Sequence, residues 1–143
     1  LDFTQILSIG KYIFMAFELS GFEAVPEEQE VIDLLVADRE NGVINPQTGE
    51  TAIGEKTREK LVGLVAAREN EIGKIDDPKE CAVAQIEFDL WQARLYRKAG
   101  YLALALNNYE IAEDEANQQR LDDLWATITK EADEFVVSVK NER

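Results

Sequence analysis

Carboxylates are the residues most able to do chemistry in this sequence. Glu110, Glu113, Asp114, Glu115, Asp122 and Asp123 crowd one short stretch, and two carboxyl groups held about 5–10 Å apart across a cleft can hydrolyse a glycosidic bond. Such a cluster can also hold a divalent cation weakly through oxygen ligands. The favoured reading is plainer: these residues fall off the apolar stripes of their helices and predict a solvated acidic face. Histidine is absent, which excludes His-based general bases, zinc and haem ligation, Ser-His-Asp triads and the Glu-x-x-His form of a di-iron bundle. The lone Cys81 cannot form an intrachain disulfide. Its place in the first turn of a predicted helix would favour a thiolate, but Asp76, Asp77 and Glu80 oppose that charge, so Cys81 is expected to pack as a small apolar side chain. The eight glycines are scattered singly, so no nucleotide fingerprint exists and no cofactor is expected.

The 143 residues carry 15 Lys and Arg against 29 Asp and Glu, a formal charge of −14. Phosphate backbones and anionic lipid surfaces are repelled by such a chain, because nucleic-acid affinity comes largely from cations that displace condensed counterions. No nucleic-acid partner is expected; the opposite idea, an acidic imitation of DNA, ranks low. With 45% apolar residues the acidity describes a surface rather than disorder, and the length suits one helical domain over residues 1–143.

The elements that position these groups are helices. Residues 3–22 are apolar around most of a helical circumference, with Gln5, Lys11 and Glu18 as interruptions. This predicts a central core helix in preference to membrane or partner contact. The sequence starts at Leu1 without Met, as expected of a processed or trimmed product, and its first residues carry no basic stretch and no small-residue cleavage motif. Val25-Pro26-Glu27-Glu28 opens a second helix, with Pro at its first position and carboxylates at the positive end of its dipole. Val31, Leu34 and Leu35 are its apolar positions, and Gly42 is expected to end it in a left-handed conformation. Between Gly42 and Gly54 the period changes, predicting a short β-hairpin or ordered loop near residues 43–53. A helix follows from about Lys56 to Ile72, burying Leu61, Leu64, Val65 and the stem of Arg68.

Asp77-Pro78-Lys79-Glu80 is the clearest helix start, a capping box. The helix it opens carries Ala84, Phe88, Trp91 and Leu95 on one stripe, then Arg94, Arg97 and Lys98 towards its negative end, and Gly100 closes it. Residues 101–143 contain neither Gly nor Pro. Asn117-Gln118-Gln119-Arg120 is the expected break between two helices there; without it, one helix of ~38 residues would extend about 57 Å at 1.5 Å per residue and project. Leu121, Leu124, Trp125, Ile128, Ala132, Phe135, Val136 and Val139 form the apolar face of the last helix, about residues 120–140. The fold class predicted is therefore all-α, with five or six helices in hairpins or a bundle.

Ala93, Tyr96, Gly100, Ala105, Tyr109 and Ala112 follow the small and aromatic spacing around a helix–turn–helix, and residues 89–117 thereby resemble one tetratricopeptide-type hairpin. Such a resemblance implies a scaffold that binds protein partners. Separately, Ala84-Gln85-Ile86-Glu87-Phe88-Asp89-Leu90-Trp91, with the order of helices and the Pro-containing loop upstream, makes residues 10–95 similar to the helical region of bacterial outer-membrane-protein-A-like envelope lipoproteins. That likeness implies a bacterial cell envelope or periplasm and no activity. Ile53-Gly54-Glu55-Lys56-Thr57-Arg58 is also similar to the Gly-x-x-Thr turn of small peptidoglycan-binding domains.

The resulting expectation is a non-enzymatic helical scaffold or adaptor whose partner is a protein, basic in character, or a second copy of the chain. Partner contacts are expected at Trp91, Tyr96 and Tyr109, and along Leu124, Trp125, Ile128, Phe135 and Val139. A structural subunit of a larger, membrane-associated assembly is the alternative, and a carboxylate hydrolase ranks below both.

Overall fold

The computed structural model describes residues 24–47 and 49–141. Among them are five helices: α1 (Pro26–Asn41), α2 (Glu55–Gly73), α3 (Pro78–Ala99), α4 (Leu102–Gln118) and α5 (Asp122–Asn141). The fold is all-α. The helix expected at residues 3–22, with its core or membrane role, lies outside the described residues. No described helix is long and apolar enough to cross a membrane.

The punctuation residues act largely as their chemistry requires. Asp77 Oδ1 accepts from the Glu80 amide at 2.8 Å and starts α3, while Gly100 ends it in the left-handed region at φ 86°. A Cβ there would also come within 2.9 Å of the Arg39 guanidinium, so only glycine suits the position. Gly42 departs from expectation. Its φ of −92° is ordinary extended backbone; what excludes a side chain is space, since a Cβ would meet the Thr51 methyl and lie 2.6 Å from the Asp38 carbonyl oxygen.

The segment joining α1 to α2 is an ordered loop with one antiparallel bridge, Ile44 to Thr51. Val43 and Ile44 are 81% and 64% exposed, so no face is buried that would extend the pairing into a sheet. Side chains hold the loop's stem instead. Asp38 Oδ2 accepts from the Gly54 amide at 2.8 Å and from Thr57 Oγ1 at 2.7 Å, and Glu50 Oε2 accepts from the Ala103 amide at 3.1 Å, at the open N-terminus of α4.

The break predicted at residues 117–120 is real. Arg120 takes a positive φ of 57°, and the Leu121 amide returns to the Ala116 carbonyl at 2.9 Å, so α5 folds back on α4 rather than projecting. Two apolar clusters result, and α3 serves both. Ile86, Leu90 and Ala93 pack with Ala105, Tyr109, Ala112 and Ala116 of α4 and with Leu124, Ile128, Ala132 and Phe135 of α5. Leu95 and Ala99, near the end of α3, pack with Val31, Ile32 and Leu35 of α1, Leu61 of α2 and Tyr101. Ile32 is buried in α1, and Leu34, expected there, is half-buried. Each fully buried Leu or Ile contributes about 2 kcal/mol, while the alanines of α3 and α4 let those two helices approach closely.

Candidate functional site

Because α3 is packed on several sides, it buries charge as well as apolar surface. Glu87, Asp89 and Arg94 are all buried along it; Asp89 and Arg94 each meet a partner from another helix, and Glu87 meets Arg94 of α3 itself. The Arg94 guanidinium forks onto Glu131 of α5, with Nη2 to Oε1 at 3.1 Å and Nε to Oε2 at 3.4 Å, and its Nη1 lies 3.5 Å from Glu87. Burial pushes the Glu87 carboxyl up to about 7 despite the nearby Arg94, and raises Glu131 by the same cause. Arg94 was expected to offset the negative end of the helix dipole; it neutralises buried carboxylates.

Asp89 lies 7% exposed against Glu115 of α4. Burial first, then the hydrogen bond and the charge of Glu115, raise its carboxyl to about 8. One oxygen of each, Asp89 Oδ2 and Glu115 Oε2, is buried without a hydrogen-bond partner among the described residues. Glu115 therefore leaves the solvated face on which its sequence neighbours suggested it belonged. The two carboxyls touch, whereas hydrolytic pairs stand about 5–10 Å apart to admit substrate or water. Among the described residues, no three carboxylate or thiol donors converge on a position that could hold a metal ion.

A second polar group ties α3 to α1 and α2. Glu28 of α1 is buried, accepts from the Val25 amide at 3.0 Å and from the Trp91 indole N–H, and receives Arg68 Nη2 of α2 at 3.4 Å. The Arg68 guanidinium lies 4.1 Å over the Trp91 ring, a cation–π contact that follows from the expected packing of its stem. Cys81 is half-buried, with Sγ 4.0 Å from the Ile72 carbonyl oxygen.

The residues expected to contact a partner separate into core and surface. Trp91, Tyr109, Leu124, Ile128 and Phe135 are buried, which corrects their assignment to a partner surface: they hold the helices together. Tyr109 accepts from Arg97 Nη1 at 3.3 Å and its ring lies 5.6 Å from that of Phe135; burial raises its phenol well above the usual range. Tyr96 is half-buried between the two clusters, and burial raises its phenol as well. Val139 packs against the core and, with Phe135, Leu102 and Leu106, lines a cavity of about 290 Å³ between the start of α4 and the end of α5.

Trp125 is the exception. It follows Leu124 by one residue, and a 100° turn about the helix axis carries it off the buried stripe, leaving it 41% exposed. It shares the open outer face of α5 with Ala126, Thr129, Lys130, Asp133, Glu134 and Val137, of which Val137 is 55% exposed. It was expected on the apolar face of the last helix beside Leu124 and lies off the buried part of that face. No protein-family model, no curated protein and no solved structure matches the chain.

Proposed function

We propose that this chain is a helical scaffold or adaptor that binds a basic amphipathic helix of a protein partner on the outer face of α5. The observation that carries the reading is the exposure of Trp125 and Val137 beside Asp133 and Glu134. An exposed tryptophan is a frequent anchor of protein–protein affinity, and an apolar strip bordered by Asp133 and Glu134, with Lys130 beside them, suits a helix with an apolar face and mainly cationic edges. The net charge of −14 would draw such a partner in and speed association. The packed hairpin of α3 and α4, with Ala93, Ala105, Tyr109 and Ala112 buried at its seam, supports the tetratricopeptide-type scaffold reading. The proposed setting is a bacterial envelope, on the likeness of residues 10–95.

Two synthetic helical peptides sharing one apolar face, one flanked by Lys and the other by Glu, test the proposal through tryptophan fluorescence. The Lys peptide is expected to bind saturably, to weaken with added salt, and to lose binding in the Trp125→Ala protein. Equal binding by both peptides, or binding indifferent to Trp125→Ala, overturns it. So does a concentration-dependent dimer by light scattering that Trp125→Ala abolishes, for the face then serves a second copy of the chain.

A further inference from the structure

Asp89 and Glu115 meet where α3 and α4 lie against each other, far from the Gly100 turn that joins the two helices. Asp89 is eleven positions before that turn, roughly 16 Å along the helix, and Glu115 lies near the other end of the hairpin, in the last turn of α4. Both carry a buried oxygen without a partner. Two carboxylates in contact inside a protein cannot both keep their charge without strong repulsion, whereas one proton between them turns the contact into a hydrogen bond.

Among the described residues, no cation acts on Asp89. Glu115 is the charged group acting on Asp89. From α1 and α2, which also pack on α3, Glu28 and Arg68 meet Trp91 and Glu87. Arg94 is engaged by Glu87 and Glu131. From α5, Glu131 faces Arg94, Arg97 and Tyr109, and Asp133 acts on Glu113, which also feels Asp114 and Glu110.

We propose that Asp89 and Glu115 hold one proton between them, and that this shared proton latches the far end of the α3–α4 hairpin, which loosens when the proton is lost. The hinge of that loosening is the Gly100 turn, and the elements released are the second half of α4 and its connection to α5. The pH sense follows from linkage. A carboxyl that ionises near 3.8 in the unfolded chain and near 8 when folded makes the folded state bind the extra proton, so its stabilising effect is complete below the lower value and declines as pH rises to the upper one. Above that the latch is open.

Urea unfolding between pH 5 and pH 9 tests this with three single variants. Asp89→Asn and Glu115→Gln keep the shape and supply a permanent hydrogen-bond donor, while Glu110→Gln makes the same charge change on the exposed side of α4. The unfolding equilibrium constant of the parent protein is expected to rise at least tenfold more over this range than that of Asp89→Asn or Glu115→Gln, and the Glu110→Gln protein should follow the parent. Curves for the parent and the two pair variants that stay parallel overturn the latch. Carbon-13 NMR of the Asp89 side-chain carboxyl in the parent protein gives an answer that needs no variant: titration near pH 8 is expected, and titration near pH 4 refutes it. Restoration of the parent's stability at pH 9 by a divalent cation, absent in Asp89→Asn, also refutes it, because the pair then holds a metal ion rather than a proton.

Discussion

The indole N–H of Trp91 donates to the carboxylate of Glu28 across 63 residues of chain, and the same carboxylate secures the Val25 amide at the start of α1. One acidic side chain thus caps the start of a helix and anchors it to the centre of the fold. Replacing Trp91 by Phe keeps much of the apolar bulk but strips a buried charged acceptor of one of its donors. A loss of about 2–3 kcal/mol is expected, read as a lower urea midpoint with little change in slope.

Arg94→Met removes the cation that bridges Glu87 and Glu131, leaving two buried carboxylates facing each other. Breaking a buried ion group in this way costs about 3–5 kcal/mol. Changing Glu87 to Gln and Glu131 to Leu alongside it should recover most of that, since the desolvated charges then disappear together. A triple variant no more stable than Arg94→Met would show that the charge triad is not the source of the loss.

Glu87 ionises near 4.5 when free and near 7 in the fold. Folded protein therefore retains a proton that the unfolded chain releases, and stability falls as pH rises through that window, by at most about 1.4 kcal/mol per pH unit for one group. Glu87→Gln should flatten this part of the curve between about pH 4.5 and 7 and leave the portion above pH 7 unchanged, as followed by thermal unfolding in a pH series.

Gly100→Ala places a side chain at φ 86° and against the Arg39 guanidinium. The backbone penalty alone is about 1–2 kcal/mol. Differential scanning calorimetry should show a drop of several degrees in Tm, and adding Arg39→Ala should relieve the contact while leaving the conformational cost.

Much of this architecture was readable from residue order. Pro26, the Asp77-Pro78-Glu80 start, Gly100 and the polar run at 117–120 mark real ends because capping and turn chemistry are local. The buried charges were not read, and the reason is visible in α3. Its apolar residues include Val83, Ile86 and Leu90 as well as Phe88, Trp91 and Leu95, so more than one side of the helix is covered; a charge in its middle must then be buried and matched by a residue far away in the chain. Arg94 and Glu131 are 37 residues apart, and no local pattern pairs them. The second stripe of α3 was the available signal. Trp125 misleads for a different reason: beside Leu124 it extends an apolar run, and only the helical twist separates an inward from an outward neighbour.

The Asp38 contacts to Gly54 and Thr57 give the α1–α2 connection a property of its own. They clamp the two ends of the excursion at its base, and Glu50 on the returning side is fastened to α4, so only the short tip around Pro46 has no part in setting how the helices meet. The length of that tip is decoupled from the fold: extra residues after Pro46 would enlarge a closed appendage, with each doubling of the loop adding only about 0.6 kcal/mol of closure entropy, and the protein would carry an inserted peptide there much as a ring carries a setting.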